Sequence, residues 1–600
     1  MKKHFRKLSA MASLRLVAML LVITGTSIFI SSCSEDDDNG TPAPPSIELS
    51  SEAFSGTPET DASITVSITA PGGAESLSIL KNGAAFDSET FAGEKELDYE
   101  FIYEVEDLTV GTVTNFTFVV EDTEGQSSNI ATYSVTVSSK NIITKTGVIG
   151  ASETWTADNI YKLSGYVRVG DDATRGGTAT TITGVTLTIE PGTVIIGERS
   201  TKGTLIIHRG NKIDAEGTAN DPIVFTSERS AGSRQPGDWG GLVVVGRAVN
   251  NQGTDVQLEG GYGAYHGGDQ NDDDSGIIKY VRIEYAGVPI NPNQEVNSLT
   301  MGSIGTTTVV SYVQCSYGLD DAFEWFGGSA NADHLIAYKG LDDDFDVDFG
   351  FSGKVQFAIG LRDPNSADQS GSNGFEVDND GSGTGATPFT SATFSNVSII
   401  GPKATSETTV SLQFQNAAHL RRNNKIKIHN SFFTGYPNGI FIDGSGANTN
   451  ANAGDLVLKN NVLAGVENWG GNGFGSVANA DEIANITGVP FGANTQHPVN
   501  PRGFFMAATA NIGTQTPLEW FESNNVTFSK WTDAGISADI FVINFGVAAP
   551  TLLPNGGSVL LTGADFTGLA GFETVAYKGA FGATDWTTGW ANWDPQSTEY

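Results

Sequence analysis

One phrase occurs twice in this chain, and it limits the possible folds more than any other feature. Gly318-Leu319-Asp320-Asp321-Ala322-Phe323-Glu324 returns 22 residues later as Gly340-Leu341-Asp342-Asp343-Asp344-Phe345-Asp346. A period of this length marks a solenoid, whose units cannot bury an apolar face alone and must stack. Each copy follows a short alternating run, Val313-Gln314-Cys315-Ser316-Tyr317 and Leu335-Ile336-Ala337-Tyr338. A strand, a glycine turn and a carboxylate cluster therefore recur once per coil. A looser third copy, Asn373-Gly374-Phe375-Glu376, follows an insertion.

Other short strands carry the same pattern, with one apolar face: Val281, Ile283 and Tyr285; Ile426 and Ile428; Leu456 and Leu458. Cys315 falls on the inward parity and reads as a small buried hydrophobe rather than a nucleophile. Asn430 and Asn460 occupy matched places after two of these strands, where stacked amides can hydrogen-bond along the axis. Glycine makes up 73 of the 600 residues, above the typical ~7%, as a turn-rich β protein requires. The 33 basic against 69 acidic side chains leave a net charge of −36. That excludes a basic face for nucleic acid and disfavours unaided binding of acidic polysaccharides. No glycine-rich loop precedes a helix, and no Cys/His set has zinc spacing.

Residues 1–32 read as a secretion signal: Lys2, Lys3, Arg6 and Lys7 precede an apolar core that is short for a membrane span. Ile30-Ser31-Ser32-Cys33 resembles a bacterial lipobox, which implies cleavage before Cys33 and its lipidation. The acidic run Ser34-Glu35-Asp36-Asp37-Asp38 resembles the surface-export signal of Bacteroidetes lipoproteins; a plain solvated linker would look the same. The expected address is the outer membrane, lipid-anchored and facing the exterior. Residues 33–45 form the linker, stiffened by Pro42, Pro44 and Pro45. Residues 46–139 alternate with period two in runs such as Ser63-Ile64-Thr65-Val66-Ser67-Ile68 and suggest a small immunoglobulin-like β-sandwich.

Beyond a junction, Leu187-Thr188-Ile189-Glu190-Pro191-Gly192-Thr193, Ile213-Asp214-Ala215-Glu216-Gly217-Thr218 and Pro236-Gly237-Asp238-Trp239-Gly240-Gly241 form a series. It resembles the right-handed parallel β-helix of the pectin-lyase-like superfamily, in its Bacteroidetes lipoprotein branch. The expectation is an all-β chain: the sandwich, a β-helix over residues 150–503, and a β-rich cap over residues 504–600. The aromatic tail ending Trp586…Trp590…Trp593 reads as that cap, with a sugar-stacking platform as the other reading.

If the two phrases are adjacent rungs, Asp320 lies over Asp342, Asp321 over Asp343 and Glu324 over Asp346. Rungs are ~4.8 Å apart, so the carboxylates repel unless a cation joins them. Hard oxygen donors in clusters suit calcium. These six residues form the candidate metal set, with Asp344 and Asp348 as accessories; turn capping through backbone N–H groups is the competing role. Trp239, Trp325 and Trp469 are the candidates for stacking on sugars, or for core and rim packing. Two functions follow. One is a non-catalytic surface lipoprotein that presents a rigid face to a glycan or to a TonB-dependent transporter. The other, implied by the superfamily, is a calcium-dependent lyase or glycoside hydrolase. A lyase needs a base near the ion, with Lys339, Lys354, Arg362 and then His334 as candidates. A hydrolase would draw its carboxyl pair from Asp320, Asp321 and Asp343.

Overall fold

A computed structural model describes residues 42–291, 294–469, 473–474 and 504–600. The signal sequence, Cys33 and most of the linker lie outside the described residues. The chain divides into two compact units, residues 1–139 and 140–600.

The first unit is a two-sheet sandwich. Its strands are β1 (Ser46–Leu49), β2 (Ala53–Gly56), β3 (Asp61–Thr69), β4 (Ala74–Lys81), β5 (Ala84–Thr90), β6 (Glu96–Glu104), β7 (Val113–Asp122) and β8 (Ala131–Val137). They form sheets of order β1-β3-β6 and β2-β8-β7-β4-β5. The alternation in β3 buries Ile64, Val66 and Ile68 against Phe101, Phe116, Phe118 and Tyr133. Period-two patterning puts one face of each sheet inside and one outside.

The second unit is a parallel β-helix. Eleven short strands stack into one sheet, in which Leu299–Gly302, Phe323–Phe326, Phe345–Asp348, Phe375–Val377 and Asn416–Leu420 are consecutive rungs. A second sheet of 17 strands wraps the remaining sides. Phe323 pairs with Phe345 and Glu324 with Asp346, so the two phrases are adjacent parallel rungs. Phe345 pairs in turn with Phe375 and Asp346 with Glu376, which puts the third copy on the next rung. Inside the coil, Phe323 stacks on Phe345 at 5.6 Å between ring centres. Cys315 is buried in the same core. The long strands Val309–Ser316, Asn331–Tyr338, Lys354–Leu361 and Thr393–Ile400 each bend at one left-handed residue: Tyr312, His334, Phe357 and Asn396. Asparagine tolerates that conformation best. At Tyr312 and His334 the strain is offset by face-to-face stacking, with ring centres 4.2 Å apart. Lower in the same column, Asn460 Nδ2 donates to Asn430 Oδ1 at 2.6 Å, the axial amide ladder that the spacing suggests.

The tail differs from its expectation. Strands Met506–Ala508 and Val526–Phe528 still continue the two sheets. Between these two strands the helix Pro517–Glu522 packs on the core of the coil, with Phe521 buried in it and Leu518 and Trp520 against it, as a cap requires; beyond Phe528 the described residues hold no further strand. They run back along the flank of the solenoid. Asn430 Nδ2 donates to the Asp565 carbonyl at 3.1 Å, and Gln356 exchanges two bonds of 2.8 Å with the backbone of Glu573. Gln314 does the same with Asn592 at 2.8 Å, and the Tyr600 hydroxyl reaches Glu284 at 2.7 Å. Trp586 and Trp590 are set edge-on against the Tyr312 ring, at 6.5 and 5.8 Å between ring centres. The flank is apolar and amide-rich, and the strap satisfies both needs. These aromatic residues are packing groups, and the platform reading gives way.

Candidate metal centre

The acidic row lies on the outer face of the eleven-stranded sheet. Phe323, Trp325, Phe345 and Phe375 point inward, so Glu324, Asp346 and Glu376 must point outward in one column. Above this column the outer face is apolar: Ile206, Val243, Val245 and Phe326 are covered by Leu258, Tyr262 and Ala264 of one loop and Val296 of the next. The row begins where that cover ends. On its other side the loop after Arg362 supplies Ser370, whose Oγ donates to Asp342 at 2.9 Å. Gly318, which opens the first phrase, must stay small: a Cβ there would stand 2.5 Å from Ser298 Oγ.

Three overlapping triads run down the row: Asp320, Asp321 and Asp342; Asp321, Glu324 and Asp346; Asp343, Asp346 and Glu376. In each triad one oxygen per residue lies within 4.8 Å of the others. Oxygens around a calcium ion stand 2.3–2.6 Å from it, so opposite ligands are no more than ~5 Å apart. All donors are carboxylates, with no histidine or cysteine, so the set fits a hard cation and not zinc. Asn297 borders the middle triad through its amide nitrogen. It is 1% exposed, its amide contacts Glu324, and its Oδ1 meets no donor among the described residues.

Two of the six also do the competing job. Asp321 Oδ1 accepts the Asp343 N–H at 2.8 Å, and Asp343 Oδ1 accepts the Asn373 N–H. Asn373 Oδ1 accepts from Asn416 N at 3.1 Å, so an Asp-Asp-Asn ladder ties four rungs together. Capping leaves the carboxylates available, because each aspartate spends one oxygen on the ladder and keeps the other.

Burial, then mutual repulsion, drives the whole row toward the neutral form. Asp320, Asp321, Glu324, Asp342 and Asp346 are raised well above the carboxylate range. Asp343 is pushed up to about 7, first by burial and then by Asp346. Among the described residues no lysine or arginine makes an ion pair with the side chains of Asp320, Asp321, Glu324 or Asp342.

The remaining candidates lie elsewhere. Asp344 points away from the row into a buried ion pair with Arg362 at 3.0 Å, both side chains fully shielded, so neither serves the metal set. Lys339 Nζ binds the Gly546 carbonyl at 3.1 Å, beside the strap. Lys354 Nζ also lies beside the strap: a Cβ built on Gly571 would stand 2.6 Å from it. His334 is stacked on Tyr312 and bonded to Asp333 at 2.6 Å. None of these four is a free base beside the carboxylates. Trp239 and Trp325 are 0% exposed, packed on Phe225 and Phe351, so neither offers a ring face to a sugar. Trp469 keeps part of its surface, with Lys403 Nζ 4.5 Å from its ring centre. Sequence reasoning missed Arg421, Arg422 and Asp378. Arg421 pairs with Glu376 and, at 3.2 Å, with Asp378; Arg422 pairs with Asp378 at 2.6 Å. Burial lowers Arg421 to about 10.

A parallel β-helix with a carboxylate row on one outer face is the architecture that these observations define. Residues 147–499 match the family model of the pectate-lyase-like β-helix domain, and the chain belongs to that family. No curated protein matches it. Among solved structures, the fibronectin(III)-like modules of Clostridium thermocellum CbhA align at 15% identity over 15% of this chain and 96% of theirs, with a TM-score of 0.13. Pectate lyase Pel3 from Pectobacterium carotovorum aligns at 11% identity over 56% of this chain and 90% of its own, with a TM-score of 0.15.

Proposed function

We propose that this chain is a non-catalytic lipoprotein of the outer-membrane surface. It is anchored through Cys33 and raised on its immunoglobulin-like spacer. Its β-helix holds calcium on the acidic row and offers that face to a glycan or a transporter partner. One observation carries the reading: the two upper triads gather five carboxylates, strongly disfavoured as anions, and no basic side chain among the described residues pairs with four of them. A divalent ion removes that cost. Address and anchoring rest on the basic start, the apolar core and the lipobox-like residues before Cys33.

Fold alone confers no reaction, and two features weigh against catalysis. The triad oxygens lie within 4.8 Å, closer than the ~6.5–9.5 Å of an inverting hydrolase pair. Of the basic residues first considered for a lyase, Lys339 and Lys354 lie beside the strap, His334 is bonded to Asp333, and Arg362, although it reaches the Asp342 carbonyl, is held in its ion pair with Asp344. One observation favours a lyase as second reading: Arg421, its guanidinium lowered to about 10, borders Asp346 and Glu376.

Calorimetric titration of the chelator-stripped chain with calcium chloride is the test. Heat of binding and a higher melting temperature are expected; neither heat nor a shift sinks the calcium reading. Release of unsaturated sugars from a polysaccharide panel, abolished by Arg421→Ala, would replace the binding role with the lyase.

A further inference from the structure

The lowest triad differs from the two above it. Glu376 pairs across the rungs with His419 and Val377 with Leu420, so Arg421 falls opposite Asp378. From there its guanidinium reaches up: one Nη meets Glu376, and Nε lies 3.2 Å from both oxygens of Asp378. The side chain is 15% exposed, and Asp378 is held from the other side by Arg422. Glu376 is the third member of the triad with Asp343 and Asp346. A positive charge belonging to the protein is therefore already seated at this end of the row. No lysine or arginine among the described residues forms an ion pair at the other end. Beside the middle triad, Asn297 Nδ2 donates to Glu324, and its buried Oδ1 meets no donor among the described residues.

We propose that the Arg421 guanidinium occupies the lowest of three cation positions and limits the row to two divalent ions, held in the upper two triads. This rests on the calcium reading of the row. A fixed guanidinium and a divalent ion cannot share one small set of oxygens, because the ion must take the same lone pairs against a like charge. The upper pair of ions would share Asp321, the residue common to both triads, while Arg421 neutralises the carboxylate that would otherwise recruit a third. Arg421 thereby sets the number of bound ions without touching either.

Calcium chloride is titrated into the chelator-stripped full chain, and bound calcium is counted by calorimetry and elemental analysis. The expected count is two in the natural chain and three in Arg421→Gln. A folded Arg421→Gln protein whose count stays at the natural value overturns the role of Arg421 and leaves the calcium reading standing. A natural chain that binds no calcium overturns both. Should Arg421→Gln fail to fold, Glu376→Gln decides. It removes a ligand of the lowest triad only, so an unchanged count and affinity support the proposal, and the loss of an ion overturns it.

Discussion

Stripped of divalent cations by a chelator, the protein should lose stability as pH rises through neutrality, the reverse of ordinary acid denaturation. Burial, and then the neighbouring Asp346, push Asp343 from the ordinary aspartate value up to about 7 in the fold. Its folded value is above its unfolded one, so the native state binds more protons between the two. The stability this group adds is fully present below pH ~4 and is lost as pH rises through about 7. One pKa unit is worth ~1.4 kcal/mol, so ionising Asp343 in the native state costs about 4 kcal/mol more than in the unfolded chain. Asp348, raised to about 6, adds to this in the same direction. Groups held low, such as Asp171 and Asp172 beside Arg175 and Arg209, act in a separate window below pH ~4. In a unit of this size 1 kcal/mol moves the melting midpoint by about 1–2 °C. The chelator-treated chain should therefore melt several degrees lower at pH ~8 than at pH ~5. Calcium at a hundred times its dissociation constant restores ~2.7 kcal/mol per site and should flatten the profile. Scanning fluorimetry across this range, with and without calcium, measures both curves. A chelated midpoint that is flat or rises with pH would refute the view that the row is desolvated and self-repelling. Asp343→Asn should remove one proton's share of the slope.

Two further outcomes follow from the packing. Trp325→Ala should cost ~3–5 kcal/mol, because the ring is fully buried between Phe323, Phe351 and Phe394; chemical denaturation measures it, and a neutral effect would return Trp325 to the surface. Gln356→Ala removes both bonds to Glu573 and should cost about 1–2 kcal/mol. Hydrogen exchange should accelerate around Glu573 and not in the acidic row; unchanged exchange there would mean that the amide does not hold the strap.

The acidic row was legible because its signal is local. A phrase repeated at one coil length, with phenylalanine at the same place, gives the pairing of Phe323 with Phe345, and Glu324 and Asp346 follow from side-chain alternation. Glu376 was visible as the end of the third copy. Arg421 was not, because 43 residues of rung and loop separate it from Asp378, and Arg421-Arg422-Asn423 reads in isolation as a solvated turn. Trp325 misled because a tryptophan beside a carboxylate is ambiguous until strand parity is known; parity turns it inward with Phe323. The strap left no trace for a different reason. Many of its partners are single side chains, among them the amides of Gln314, Gln356, Asn430 and Asn460 bound to distant backbone groups, and such bonds impose no periodicity on either segment.

The strap also bears on the order in which the molecule is made. Coils carrying Tyr280, Tyr312, His334 and Phe357 emerge from the ribosome long before Tyr577, Trp586 and Trp590, the rings that shield them. Coil can stack on coil as each is synthesised, yet this aromatic stripe stays bare until the last segment arrives. A chain halted before Trp586 would leave the Tyr312 and His334 rings wet on an otherwise folded coil, a sticky flank open to proteolysis.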